Sequence, residues 1–211
     1  MRKMTFSNNE FYHIYDRGVD ERKIFLRNGH RLHFIETIQR ILTTSSATPK
    51  FSKTAMSQDT PFKKIDIICY CLMPNHYHLL LKQKEDGGIT EFMHKLNTSY
   101  TKYFNISNKR TGRLFEYTFK AVYIESENQL IHVSRYIHLN PLIADLVFDL
   151  KKYKWSSYPD YIGKRNGGFC QKEEILGLFG REDQVRKYEQ FVMEQESYQR
   201  ELNRIKKLLL E

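Results

Sequence analysis

The spacing of apolar residues changes along the chain between a period of two and a period near 3.6, which predicts strands interleaved with helices. A short apolar and aromatic run at 11–15 is typical of a strand, and Gly18 ends it. Apolar residues at helical spacing then predict an amphipathic helix over residues 22–44. Residues 43–64 are rich in Ser, Thr, Lys and Pro, so we expect a mobile surface loop there.

A β-hairpin is predicted in the next part of the chain. The β-rich run at 65–72 and the run at 76–82 flank Pro74 and Asn75, a pair that favours a turn. Two consecutive glycines break the second strand, and apolar residues then recur at helical spacing over 89–104. This segment therefore predicts two strands followed by a helix.

A fourth strand and another helix follow. Residues 114–124 have the pattern of a strand, and Ser126 with Gln129 has the spacing of a capping box at a helix start. Pro141 disfavours the helical conformation at Asn140, so we expect this helix to end near there. The order β-α-β-β-α-β-α predicts an α+β protein whose helices pack on one face of a mainly antiparallel sheet.

The end of the chain has a different character. Residues 163–168 have the composition of a linker, and helical patterns follow over 171–179 and 182–210. We therefore predict a main domain over 1–162 and a linker with a small helical C-terminal appendage over 163–211.

Charge is distributed unevenly along the sequence. The formal net charge is +9, and residues 181–211 hold as many acidic as basic residues, so the excess lies in the first 180 residues. A basic excess on the main domain suits a nucleic-acid partner, although many basic proteins bind nothing anionic. No stretch reaches the ~18 apolar residues of a membrane span, and the N-terminus lacks a signal-peptide pattern. We therefore expect no membrane contact, a cytoplasmic location and reduced thiols for the three cysteines.

Two histidines separated by one residue stand directly after the predicted turn. His76 and His78 fall at i and i+2 of a strand, so their side chains should project from the same face. Tyr77 and Leu79 should point to the other face. Two imidazoles side by side can hold a divalent metal ion, and a metal site on a basic protein suggests phosphodiester chemistry. The alternative is a pair of partly buried strand histidines with no ligand.

The predicted helix from Ser126 carries residues that would complete such a site. Tyr136 and Asn140 are spaced i, i+4 and lie on one helix face, whereas His138 should point away. The Asn140 amide oxygen suits Mg²⁺ or Mn²⁺, and Tyr136 is a candidate nucleophile. Alternatively, Tyr136 is one of fourteen tyrosines that mostly pack, and Asn140 simply ends the helix before a proline.

Seven short motifs over about residues 10–160 resemble a known family when taken in order. They are Tyr12-His13, Arg17-Gly18, Met73-Pro74-Asn75-His76-Tyr77-His78, Gly112-Arg113-Leu114-Phe115, Phe119-Lys120, Arg135-Tyr136-Ile137-His138-Leu139-Asn140-Pro141 and Trp155-Ser156-Ser157-Tyr158. The chain resembles the single-tyrosine HUH transposases, in which U is a hydrophobic residue between two histidines. More narrowly, it is similar to the REP-associated tyrosine transposases.

The resemblance implies a ferredoxin-like core that carries the histidines on a central strand. It assigns His76, His78 and Asn140 as ligands of Mg²⁺ or Mn²⁺, and Tyr136 as the nucleophile. The implied reaction is cleavage and rejoining of single-stranded DNA through a covalent 5′-phosphotyrosine. DNA hairpins would be the recognition elements, and both a monomer and a homodimer occur among the relatives.

Basic and aromatic residues near the implied metal site suit phosphate contact and base stacking. The candidates are Arg17, Lys109, Arg110, Arg113, Phe115, Phe119 and Lys120. Two positions depart from the family pattern: Thr118 stands where relatives often have arginine, and Leu142-Ile143 stand where they often have a basic side chain. These departures concern backbone contacts to DNA rather than the metal or the nucleophile.

Two other functions remain open from the sequence. One is a domesticated DNA-binding protein that keeps the fold but moves no element. The other is a metal-dependent phosphodiesterase that uses water as its nucleophile.

Overall fold

The structure is a computed structural model that describes residues 5–43, 61–166 and 168–195. Its strands are β1 (Phe11–Arg17), β2 (Ile65–Leu72), β3 (His76–Gln83) and β4 (Lys120–Tyr123). Its α-helices are α1 (Asn28–Thr43), α2 (Gly88–Ser107), α3 (Glu127–Ile143), α4 (Tyr158–Tyr161), α5 (Glu173–Leu176) and α6 (184–195). Short 3₁₀ turns lie at Val19–Glu21, Leu150–Lys152 and Gly177–Phe179.

The four strands form one antiparallel sheet in the order β2-β3-β1-β4. Two strand-helix-strand units interleave in this order, which is the ferredoxin-like arrangement. The α+β class and the antiparallel sheet are therefore confirmed. β3 and β1 occupy the centre, so residues 77–82 of the predicted histidine strand have register partners on both sides, whereas His76 pairs only with β1.

The sheet is covered on both faces. Tyr77 points toward α1 and α2: its ring lies 5.2 Å from that of Phe34, and its hydroxyl donates to the Asn97 amide oxygen at 2.9 Å. His78 points to the opposite face, where its ring lies 5.6 Å from that of Tyr136 on α3. The expectation of helices on one face holds for α1 and α2 but is wrong for α3, because this helix packs against the histidine side.

The first helix begins later than its apolar pattern predicts. The backbone N–H groups of Ile24 and Phe25 both donate to the Pro74 carbonyl, at 2.9 and 3.0 Å, which keeps this segment extended against the hairpin turn. Helix α1 therefore starts at Asn28. Gly18 makes the return of the chain possible, since a Cβ there would lie 2.3 Å from the Arg22 carbonyl oxygen.

Two further boundaries differ from the prediction. β4 begins at Lys120 rather than at residue 114, because Leu114 and Phe115 turn inward and are almost fully buried. Helix α3 continues to Ile143 with Pro141 in its last turn, one turn past the expected end. Most of the loop predicted at 43–64 lies outside the described residues.

The described residues between 164 and 195 pack onto the main body of the protein. The Gln171 backbone N–H donates to the Ile67 carbonyl at 2.8 Å, and the side chains of Ile175 and Tyr188 are fully buried. In the predicted linker, Arg165 is anchored by the Asp160 carboxylate at 2.6 Å. The division of the chain after residue 162 remains a prediction. Across the described ranges, no helix is both long enough and apolar enough to cross a membrane.

Candidate active site at the start of β3

The two histidines lie on the α3 face, at the end of the sheet where β3 begins. The ring centroids of His76 and His78 are 4.9 Å apart. His78 is 5% exposed, and His76 is partly exposed. Burial lowers the pKa of His76 and lowers that of His78 well below the usual 6.5, so both imidazoles are neutral near neutral pH. Neutral imidazole is the form that binds a metal ion.

One nitrogen of each imidazole already has a partner. His76 Nδ1 lies 2.7 Å from the Asn75 amide oxygen, and His78 Nδ1 lies 2.9 Å from Nε2 of His13. The other ring nitrogen of each histidine, Nε2, is the atom that would bind a ligand. The turn before β3 and the neighbouring strand β1 supply these partners.

Asn140 brings an oxygen to the same place from α3. Its side chain is 8% exposed, and its amide nitrogen donates to the Tyr136 carbonyl at 2.9 Å, one helical turn earlier. The Asn140 side chain also interacts with both His76 and His78. Two imidazoles and one side-chain amide thus converge, and the amide oxygen is the atom that could serve as a ligand.

This donor set fits a six-coordinate cation with open positions for phosphate oxygens. Among residues 5–43, 61–166 and 168–195, no group of three or more His, Cys, Asp or Glu side chains is arranged to hold a metal ion. A cation here would therefore depend on the amide of Asn140 as its third protein ligand.

Tyr136 stands beside these groups and is open to solvent. Its ring is 47% exposed, and its edge approaches His78 at 5.6 Å and His13 at 6.1 Å between ring centroids. The spacing of four residues from Asn140 accounts for the shared helix face. A hydroxyl on an exposed ring at this position can reach a phosphate placed over the histidines.

His138 lies on the other side of α3 and is fully buried. Its Nδ1 is 2.7 Å from the Tyr188 hydroxyl of α6, and its Nε2 is 2.8 Å from the Ser157 hydroxyl. Both ring nitrogens are used within the protein, which ties α3 to Ser157 at the start of α4 and to Tyr188 of α6.

The buried His138 makes the fold sensitive to acid. Burial lowers its pKa from 6.5 to about 3. Because the folded pKa is lower, the unfolded chain takes up the extra proton, and the contribution of His138 is complete above pH 6.5 and is lost as the pH falls toward 3. We expect the free energy of unfolding of the wild-type protein to decrease between pH 6 and pH 4. This decrease should be steeper than that of His138→Gln by about 1.4 kcal/mol per pH unit.

Urea unfolding at several pH values measures this difference, with His94→Gln on the exposed surface of α2 as the matched control. The control should follow wild type. Parallel curves for wild type and His138→Gln would contradict the assignment.

Two of the basic candidates lie close to the histidines. Arg17 on β1 pairs with His76 on β3. Tyr15 on β1 pairs with His78 on one side and with Lys120 of β4 on the other. Arg17 forms ion pairs with Glu116 and, at 2.9 Å, with Glu21. Exposed pairs of this kind are weak, so a phosphate can displace them.

The other candidates lie in the segment between α2 and β4. Lys109 and Arg113 are exposed, and the Arg110 guanidinium donates to the Asn105 amide oxygen at 2.8 Å. Phe119 is half-buried and stacks on Phe6 at 6.1 Å between centroids.

Phe115 needs a correction as a base-stacking candidate. It is 5% exposed and its ring lies against those of Tyr77 and Tyr100 in the core, so it presents no face to a nucleotide. Its neighbour Tyr117 is 39% exposed instead, with the Lys120 ammonium 4.3 Å from its ring centroid. A basic and aromatic pair therefore does stand beside the site.

His13 and Tyr15 are the site residues that the sequence interpretation did not place. Both lie on β1 and share the face of His78, with the Tyr15 ring 6.0 Å from that of His78. The alternation of residues along β1 could have put them on one face together. Only the pairing of β1 with β3 shows that this face is the histidine face.

Comparisons with known proteins show the family and the fold of the chain. A family model described as "Transposase IS200 like" matches residues 27–140, just over half of the chain. No curated protein matches the chain significantly. Among solved structures, the chain is similar to a REP-associated tyrosine transposase bound to a REP hairpin, at 12% identity and a TM-score of 0.56. That likeness covers 78% of this chain and 86% of the other, and it shows a shared fold.

Proposed function

Since this chain belongs to the IS200-like transposase family, we propose that it cleaves and rejoins single-stranded DNA through a covalent bond to Tyr136. The observation that carries the proposal is the convergence of Tyr136, His76, His78 and Asn140 at one end of the sheet. The family is one of DNA-processing enzymes, and this convergence supports a specific chemistry for the present member.

In the proposed step, the Tyr136 hydroxyl oxygen attacks a backbone phosphorus and loses its proton to solvent. A bond forms between the tyrosine oxygen and phosphorus while the bond from phosphorus to the 3′ oxygen breaks, and the leaving oxygen takes up a proton. The products are a 5′-phosphotyrosine and a free 3′-OH. The reverse attack by a 3′-OH on the phosphotyrosine rejoins DNA, so no water is consumed.

His76, His78 and Asn140 are the residues that would hold Mg²⁺ or Mn²⁺. When bound there, such a cation would offset negative charge on the non-bridging phosphate oxygens as the tyrosine attacks. The protein contributes orientation, since Asn75 and His13 fix the imidazoles and the Asn140 amide nitrogen is tied to the Tyr136 carbonyl. Ligand and nucleophile are therefore positioned by one helix.

Arg17 and Lys120 near the site support binding of single-stranded DNA, and we propose that hairpins are its recognition elements. Lys120 with Tyr117 offers an ammonium and an exposed ring, with Tyr15 between Lys120 and His78, and this pairing suits phosphate contact with base stacking. The solved structure with the same fold is bound to a REP hairpin.

Monomeric action is proposed because Tyr136 faces the histidines of its own chain. Its helix is also held by His138 to Tyr188 of the same chain, at 2.7 Å. A homodimer that exchanges α3 is the alternative. Light scattering during size-exclusion chromatography, with and without DNA, distinguishes the two.

Covalent trapping tests the proposed function directly. The wild-type protein is incubated with Mn²⁺ and a library of oligonucleotides that carry a hairpin and a randomised flank. An oligonucleotide labelled at its 3′ end should become attached to the protein on a denaturing gel, and one labelled at its 5′ end should be released as a shorter fragment. EDTA should prevent both.

Two other results would support the competing functions. Cleavage of the 3′-labelled and the 5′-labelled oligonucleotides with no attachment to protein would favour a phosphodiesterase that uses water. Hairpin binding without cleavage, in Mn²⁺ and in Mg²⁺, would favour a domesticated DNA-binding protein.

A further inference from the structure

We propose that His13 is a positioning residue that holds His78 in the tautomer required for metal binding. The inference rests on the proposed function, because it concerns the same metal site. It assigns a role to a residue of β1 that is neither a ligand nor a nucleophile there.

The two imidazoles are in direct contact across neighbouring strands. His13 Nε2 lies 2.9 Å from His78 Nδ1, and the ring planes are 26° apart with centroids 5.0 Å apart, so the two rings meet edge to edge through these nitrogens. Both side chains are at least nine-tenths buried. Water therefore has little access to replace either partner of this hydrogen bond.

The contact can exist in only two neutral forms. One ring must donate an N–H and the other must accept it, since two lone pairs or two N–H groups at 2.9 Å would repel. If His78 donates from Nδ1, its Nε2 carries a lone pair that can bind a cation. If His13 donates instead, His78 keeps its proton on Nε2 and cannot serve as a ligand.

The surroundings of His13 favour a fixed ring. It stacks on Tyr15 with centroids 5.1 Å apart, and the edge of Tyr136 closes the other side at 6.1 Å. Asn75 has the equivalent position at His76, because the Asn75 amide oxygen lies 2.7 Å from His76 Nδ1. A group that hydrogen-bonds the second ring nitrogen of a metal-binding histidine sets the orientation and the tautomer of that histidine.

Mn²⁺ affinity, measured by titration calorimetry without DNA, tests the proposal. We expect His13→Phe to bind Mn²⁺ about 10–100-fold more weakly than wild type, the usual cost of losing such a partner. His13→Gln should retain most of the affinity, because its amide oxygen can still accept the proton of His78. His94→Phe on the exposed surface of α2 is the matched control and should bind as wild type does.

The tautomer itself provides a second readout that does not depend on a variant. Nitrogen-15 NMR of the wild-type imidazoles with Mg²⁺ should show the proton of His78 on Nδ1. Finding it on Nε2 would overturn the proposal, even if His13→Phe failed to fold.

Failure of this inference is distinguishable from failure of the proposed function. If His76→Ala loses Mn²⁺ binding while folded His13→Phe binds as tightly as wild type, the role of His13 is overturned and the metal site stands. If wild type does not bind Mn²⁺, or His76→Ala leaves binding unchanged, the metal site falls and the role of His13 falls with it.

Discussion

Tyr136→Phe is expected to abolish the protein–DNA adduct while leaving Mn²⁺ and hairpin binding near wild-type levels. The substitution removes one oxygen atom, and that oxygen is the proposed attacking atom. Since the ring is 47% exposed, its loss of a hydroxyl should barely change the stability of the fold. The measurement is attachment of a 3′-labelled oligonucleotide on a denaturing gel, with Mn²⁺ raised stepwise.

A matched control is Tyr123→Phe, which removes a hydroxyl from another partly exposed tyrosine. Tyr123 lies on β4, where its hydroxyl donates to the Glu10 carboxylate at 3.0 Å. Adduct formation should survive this change. An adduct that persists in Tyr136→Phe would identify a different nucleophile, and cleavage without any adduct in that variant would favour water.

Local patterns account for most of what the sequence could predict. The hairpin between β2 and β3 follows from a turn signal between two β-rich runs, and the shared face of His76 and His78 follows from strand geometry alone. Ser126 accepts a hydrogen bond from the Gln129 backbone at 3.2 Å, as the capping box predicted. These features depend on residues close together in the chain.

The features that the sequence could not predict depend on long-range packing. Phe115 and Tyr117 are two residues apart and both aromatic, yet one is in the core and the other at the surface. The contact of His13 with His78 joins positions 65 residues apart, and it requires the register of β1 on β3. No periodicity within either strand carries that information.

The departures from the family pattern are partly explained by packing. Leu142 is 3% exposed and belongs to the core, so an apolar residue suits its position in α3. The Thr118 carbonyl accepts a hydrogen bond from the Asn97 amide at 2.8 Å, a backbone contact that does not require arginine there. DNA contacts made by arginine in relatives would have to come from elsewhere, and Lys120 is the nearest exposed cation to this segment in sequence.

Removing one imidazole tests whether the convergent donor set acts through a metal ion. His76→Ala is the better substitution, because His76 begins β3 and is more exposed than His78, so the fold should survive its truncation. A bound cation is worth several kcal/mol of charge stabilisation, so adduct formation should slow by about 10²–10³-fold. Asn140→Leu, which removes the amide oxygen, should have a smaller effect in the same direction.

The response to added Mn²⁺ separates a ligand from a nucleophile. A missing ligand weakens affinity, so a large excess of Mn²⁺ should partly restore adduct formation by His76→Ala, whereas no concentration should restore Tyr136→Phe. Thermal unfolding gives an independent measure, because Mn²⁺ at about 100 times its Kd should stabilise wild type by about 2.7 kcal/mol. Equal stabilisation of His76→Ala at the same concentration would mean that this imidazole serves the packing of β3 and not a metal site.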